Sequence, residues 1–206
     1  MEDGLLEFLN AHNCSFYSPL TYSDTTDWIS GNQMVKYNNN SVVWDSTINM
    51  WKFTYVSGQA NSNTAYYAKW TLNTPIPQGS VPILTTVCEI YPYDTEQSDI
   101  QNGKLCWDFL PNRRGQSFIA ITGQYNQCGQ IMAVSNGESV KYQYTNGSMS
   151  FTYQYGSLLT GAYETEIRIG APNNNGHRKR YAMRNFALFV GEAFNISLLN
   201  EYFSLL

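Results

Sequence analysis

Tyr142-Gln143-Tyr144-Thr145-Asn146-Gly147-Ser148-Met149-Ser150-Phe151-Thr152-Tyr153 sets two runs of alternating apolar or aromatic and polar residues on either side of an Asn-Gly pair. Successive strand side chains point to opposite faces, so a period of two marks half-buried β-structure. Asn-Gly tolerates the positive φ that a two-residue hairpin turn demands, and the stretch is therefore expected to be a hairpin. Ser135-Asn136-Gly137-Glu138-Ser139, just upstream, carries a second turn of the same kind. Together they predict a meander from about residue 131 to residue 155.

The same alternation, punctuated by Asn, Gly and Pro, recurs from residue 26 to residue 190. Strands are expected near residues 28–29, 34–37, 41–44, 50–56, 64–72, 81–91, 103–110, 116–122, 131–135, 139–145, 148–155, 163–169 and 180–189. Asn38-Asn39-Asn40 is read as a turn, and Asn173-Asn174-Asn175-Gly176 as the cap of a longer loop. Parallel neighbours would need crossover helices, which the pattern does not offer, so the strands are expected to be antiparallel. The fold class that follows is all-β: an antiparallel β-sandwich of jelly-roll type, with a closed β-barrel as the alternative. The sandwich is placed at residues 26–190, between an N-terminal segment (1–25) and an apolar C-terminal tail (191–206). Leu5 to Asn10 reads as a helical turn or a strand. Phe194 to Leu206 is too apolar to stand in water, and it either packs back on the domain or joins an oligomer contact.

Composition agrees with strands and narrows the function. The chain has 206 residues, of which 43% are apolar, 15% aromatic and only 14% charged, with 16 Tyr and 21 Asn in place of charged helix faces. Twelve Lys plus Arg against 16 Asp plus Glu give a net charge of −4, which holds no general attraction for nucleic acid or anionic membranes. No apolar run is long enough for a membrane-spanning helix, so no membrane insertion is expected. Met1-Glu2-Asp3-Gly4-Leu5-Leu6-Glu7-Phe8-Leu9 is too acidic and too short in apolar residues to read as a signal peptide. Cys14, Cys88, Cys106 and Cys128 lack metal-type or redox Cys-x-x-Cys spacing and are expected to be buried thiols, one or two disulfides being the alternative. Asn13, Asn39, Asn146 and Asn195 head Asn-x-Ser sequons, a weak signal in so Asn-rich a chain.

Catalytic signatures are sparse. His12 and His177 are far apart, and nothing matches a nucleophile elbow, a zinc helix or a phosphate loop, so neither cofactor nor metal is expected. Glu164 and Glu166 would project from one face of a strand, as a glycosidase pair must, but two solvated carboxylates on an open sheet explain them more simply. Asp94, Glu96 and Asp99 offer oxygen ligands for calcium without a regular loop spacing. His177-Arg178-Lys179-Arg180 would suit a sulfate, sialate or phosphate, although charges at a strand entry commonly guard a sheet edge.

The rings are more informative. Sugars present apolar faces and many hydroxyls, and their sites pair exposed Trp or Tyr with Asn, Gln and Asp. Trp44, Asp45 and Trp51 flank a turn, Tyr66, Tyr67 and Trp70 follow on the next strand, and Tyr125 and Asn126 form a second polar-aromatic loop. The candidate ligand-binding residues are therefore Trp44, Asp45, Trp51, Tyr66, Tyr67, Tyr125 and Asn126. One face of each strand must be core, so about two of Trp44, Trp51, Tyr66, Tyr67 and Trp70 are expected to be exposed.

Tyr163-Glu164-Thr165-Glu166-Ile167-Arg168-Ile169-Gly170, then a polar loop, then Arg180-Tyr181-Ala182-Met183-Arg184-Asn185-Phe186-Ala187-Leu188-Phe189, resembles the last two strands of galactose-binding-like and concanavalin-like jelly rolls. Such modules occur in the carbohydrate-binding parts of polysaccharidases and in bacteriophage tail, baseplate and fibre proteins. The resemblance implies a noncatalytic recognition module, of phage tail or fibre type, that binds cell-surface carbohydrate. It further implies a homo-oligomer, a trimer by preference, located in a virion or outside a cell. Two alternatives remain: a structural virion protein without a ligand, and a polysaccharide-active enzyme using Glu164 and Glu166.

Overall fold

The computed structural model describes residues 2–37, 41–54, 66–76, 83–93, 104–108, 117–123, 126–135, 140–144, 147–153, 164–171 and 180–206. Its elements run α1 (Glu2–Ala11), β1 (Cys14–Ser18), β2 (Val35–Tyr37), β3 (Val42–Asp45), β4 (Met50–Thr54), β5 (Tyr66–Ile76), β6 (Leu84–Pro92), β7 (Lys104–Asp108), β8 (Ser117–Gly123), β9 (Gly129–Ser135), β10 (Val140–Tyr144), β11 (Gly147–Tyr153), β12 (Glu164–Ala171), β13 (Arg180–Val190) and α2 (Ile196–Ser204).

One sheet has the order β10-β9-β6-β13-β4-β3, and the other β11-β8-β7-β12-β5-β2. In the first, β4 pairs with residues 180–183 of β13, and β1 takes the same side from residue 186 onward. Every pairing among the described strands is antiparallel. Both sheets end in edge strands among the described residues, so the molecule is an open all-β sandwich rather than a barrel. Phe16, Phe53, Ile90, Met183 and Leu188 of the first sheet meet Trp70, Ile167 and Ile169 of the second, all shut off from solvent. Phe16 approaches Trp70 edge-on, with ring centroids 5.2 Å apart, a geometry that the aromatic quadrupole favours.

The stretch that signals strand so clearly is not a hairpin. β10 pairs with β9 in the first sheet, while β11 pairs with β8 in the second, so Tyr144 and Gly147 belong to different sheets. The meander therefore stops at β10. Alternation fixes that a segment is a strand and which residues share a face, but it carries no information on which sheet the strand joins. The strands on either side of the upstream Asn-Gly do pair, Val140 lying opposite Ser135. The expected strand at Trp28 and Ile29 is also corrected: both residues lie in a turn. The triple Asn38-Asn39-Asn40 and the Asn173 loop fall outside the described residues.

The middle of the first sheet is buried on both sides. Past the inner core, its outer face carries Val87, Met132, Ala187 and Phe189, and these are covered by Leu5, Phe8 and Leu9 of α1 and by Leu199 and Tyr202 of α2. Helical spacing places Leu5, Phe8 and Leu9 on one stripe, which is why α1 docks as a helix despite its acidic start. Asn13, with φ 52°, ends that helix in the left-handed region that Asn tolerates. The sequon residue Asn195 caps α2, its side-chain oxygen accepting from the backbone N–H groups of Ser197 and Leu198 at 2.9 and 3.0 Å. The apolar tail thus packs back on the sheet. Sandwiched strand β13 explains its own sequence: Phe186 and Leu188 face inward, Ala187 and Phe189 face the helices, and no polar residue is admitted between them. The sheet also recruits β1 from before residue 26. Cys14, Cys88 and Cys128 are thiols, and the Cys106 side chain lies outside the described residues.

Candidate functional site

A β-bulge prepares the site. Arg184 lies opposite Glu89 and Ala187 opposite Val87, so β13 spends one residue more than β6 between these pairs. Asn185, with φ 52°, supplies the bend, and its polar groups are all engaged. Its backbone N–H donates to the Pro19 carbonyl at 3.0 Å, and its own carbonyl accepts from the Tyr202 hydroxyl at 2.9 Å. Its side-chain amide donates to Glu89 Oε2 at 2.7 Å. Glu89 in turn accepts two bonds from Arg184, from Nε at 2.7 Å and Nη2 at 3.0 Å. That forked pair keeps the guanidinium charged and aims it outward with 37% of its side chain in solvent, against 15% for Glu89.

Above the bulge lies the loop from Pro19 to Gln33, folded by two carboxylates and held by two core tryptophans. Asp27 is buried and accepts from the N–H groups of Tyr17 and Ile29, both at 3.1 Å, and from the Ser30 hydroxyl. Burial pushes its carboxyl up in spite of those bonds. Asp24 accepts from Thr26 N and from Trp28 Nε1, both at 2.8 Å. Partial burial works to raise this carboxyl, and the two donors outweigh it, holding Asp24 below the usual carboxylate range. From below, Trp51 Nε1 donates to the Thr21 carbonyl at 2.9 Å and Trp70 Nε1 to the Thr25 carbonyl at 2.8 Å. Between these anchors the Tyr22 ring stays in water, at 73% exposed.

Tyr22 leans on Trp44, with ring centroids 5.7 Å apart and planes at 54°, and Trp44 meets Trp51 edge-on at 5.9 Å. Because β3 is the edge strand, Trp44 is only half-buried. The two rings wall a cleft of about 610 Å³, whose other sides carry Asn49, Gln130, Arg184, Asn185 and Phe203. Apolar ring surface thus faces amides and the Arg184–Glu89 ion pair, a combination that can engage both the faces and the hydroxyls of a sugar. A second hollow of about 360 Å³ adjoins it, walled by Tyr17, Asp24 and Trp28.

The sequence-selected residues separate. Trp44 lines the cleft, but Trp51 is 8% exposed and serves the core, so it offers no platform. Trp70 is wholly buried. Asp45 lies beside them on the opposite face of β3, where it accepts from the Tyr93 hydroxyl at 2.7 Å and from Thr47 N at 3.0 Å. The Tyr93 bond is the chief reason its carboxyl sits low. Tyr67 belongs to the other sheet, where it stacks flat on Tyr37 at 4.9 Å. Tyr66 is in β5, its side chain outside the described set, and Tyr125 is outside it altogether; Asn126 is exposed, with φ 59°. Glu166 accepts from Lys69 at 2.9 Å on the outer face of the second sheet. The Glu164 side chain, the acidic run from Asp94, and His177 to Lys179 lie outside the described residues. Sequence reasoning passed over Tyr22, Asn49, Arg184 and Asn185. Two signals were present: a ring set among Thr21, Ser23 and Asp24 just after Pro19, and the polar pair Arg184-Asn185 interrupting an otherwise apolar strand.

No protein-family model matches this chain, and no curated protein matches it. Solved structures do. The binding domain of botulinum neurotoxin serotype G is similar with a TM-score of 0.63 at 9% identity, over 94% of this chain and 51% of that one. The serotype D binding domain gives 0.60 at 10% identity, over 94% and 52%. The receptor-binding domain of the C/D mosaic serotype gives 0.57 at 9%, over 93% and 51%. The chain spans about half the length of these structures, and at identity this low the likeness establishes a shared fold alone.

Proposed function

We propose that this sandwich, which has the fold found within neurotoxin receptor-binding domains, is a noncatalytic recognition module that binds cell-surface carbohydrate in the cleft beside Tyr22 and Trp44. The observation that carries the proposal is the Tyr22 ring, held in water against Trp44 by a loop whose backbone is fixed at Thr21 and Thr25. A large, mostly exposed ring on a loop whose backbone is anchored lowers the ordering cost of stacking on a ligand. Arg184 and the amide of Asn49 then supply hydrogen bonds to hydroxyls. Glu89 keeps Arg184 extended for that task.

A single site of this kind binds weakly, so presentation in several copies, a trimer by preference, goes with the proposal. A phage tail or fibre setting, in a virion or outside a cell, belongs to it as well and rests on the Asn-, Tyr- and Gly-rich composition. The test is a glycan array probed with the protein on a multivalent support. Binding should be lost in Tyr22→Ala and Trp44→Ala and kept in Tyr37→Ala, whose ring lies on the other sheet. An array without a bound glycan, or binding indifferent to both substitutions, refutes the proposal.

A further inference from the structure

The cleft and the adjoining hollow have common walls. Thr21, Ser23, Asn185 and Leu206 line both, so the two volumes lie on either side of one partition made by the loop, Asn185 and Leu206. Each side has its own indole and its own polar groups: Trp44 with Asn49 in the larger, and Trp28 with Asp24 in the smaller. Each falls within the size range of sites for small organic ligands. The Trp28 ring is fixed by its bond to Asp24 and by an edge-on contact with Tyr17 at 5.0 Å.

Charge selects among ligands. The charged side chains on the described walls are Asp24, Glu89 and Arg184. Arg184 is spent on Glu89 in a forked pair, which leaves Asp24 as the uncompensated charge. Asp24 is ionised at neutral pH, its carboxyl held low by the donors from Trp28 and Thr26. A carboxylate or sulfate on the ligand would lose its hydration to a wall that is net negative. Uncharged hydroxyls, by contrast, can donate to Asp24.

From the common walls and the net negative lining, we infer that the two hollows are subsites of one groove for a neutral oligosaccharide of at least two residues, to the exclusion of sialylated, uronic or sulfated glycans. This rests on the carbohydrate reading above. The experiment titrates the intact protein by calorimetry with neutral linear oligosaccharides of one to four residues, taken from the class that binds on an array, and with their sialylated and sulfated counterparts. Affinity should rise by about tenfold or more from one residue to two or three, then level off, and the acidic counterparts should bind at least about tenfold more weakly. Asp24→Asn should narrow the gap between acidic and neutral ligands. Glu89→Gln, which releases Arg184, should narrow it further, and Ser23→Tyr, which fills the partition, should abolish the gain from chain length alone. Should either carboxylate variant fail to fold, the length series and the neutral-to-acidic ratio of the parent protein decide the matter. Affinity that is flat with length, or a preference for acidic glycans, overturns the inference and leaves carbohydrate binding standing. Failure to bind any glycan removes both.

Discussion

Replacing Trp51 by Phe separates a post from a platform. Trp51 is 8% exposed, donates to the Thr21 carbonyl at 2.9 Å and touches Trp44 edge-on. Phenylalanine keeps part of the buried ring, so the packing loss is about 1–2 kcal/mol, below the range for truncation to Ala. The lost hydrogen bond adds about 1 kcal/mol, a modest figure because Thr21 is exposed and water can replace the donor. The total of about 2–3 kcal/mol corresponds, for a chain of this size, to a melting temperature lower by roughly 5–10 °C. Ligand affinity should fall less than about tenfold, because Tyr22 and Trp44 remain and only their support loosens. Trp44→Ala should do the reverse, weakening the ligand about 30-fold or more, as truncation at a binding hot spot does. Calorimetric melting together with a glycan titration reads both quantities. If Trp51→Phe melts within about 1 °C of the parent protein yet no longer binds, Trp51 touches the ligand and the assignment of roles is wrong.

Four further outcomes follow from the geometry. Leu199→Ala, at the covered face of α2, should cost about 2–4 kcal/mol in chemical denaturation; a value near zero would mean that the helix does not hold the sheet in solution. Tyr202→Phe removes the donor to the bulge carbonyl of Asn185 and should cost about 1 kcal/mol by the same assay, and no loss would show that the bulge stands without it. Asp45 is held low chiefly by the Tyr93 hydroxyl, so its stabilisation is present above the ordinary carboxylate pKa of about 3.9 and is lost as pH falls through the lowered value. Tyr93→Phe should therefore reduce stability at neutral pH and flatten its decline on acidification, and an unchanged acid limb would contradict the link. Burial raises the Cys88 thiol, so mass-mapped alkylation should leave it unmodified until the protein unfolds; a disulfide at Cys88 would refute its assignment as a thiol.

Strands were legible because the physics that makes them is local. Alternation located β2 through β13 to within a few residues, since pleating forces period two wherever one face is buried. β1 escaped because Cys14-Ser15-Phe16-Tyr17-Ser18 is short and gets its partner from residues about 170 positions away. Sheet membership escaped for the same reason: Tyr142 to Tyr153 has the pattern of a hairpin, yet its halves pair with β9 and β8 in different layers. In the site, Trp44 was within reach of sequence reasoning but its separation from Trp51 was not. Both rings sit on the inner face of neighbouring strands, and only the position of β3 at an edge leaves one of them half in water. Tyr22 and Arg184 depend on a loop fold and a bulge, which follow from contacts such as Trp70 with Thr25 that no local pattern encodes.

Chemical-shift mapping of the isotope-labelled protein, titrated with the strongest array glycan, confronts the central claim most directly. The account predicts shifts at the indole N–H groups of Trp44 and Trp28 and at the side-chain amides of Asn49 and Asn185, with the Trp70 indole and the Tyr37–Tyr67 edge unmoved. Shifts that gather on Val35 to Tyr37 and Tyr67, with the cleft silent, would put the ligand on the other sheet and contradict it.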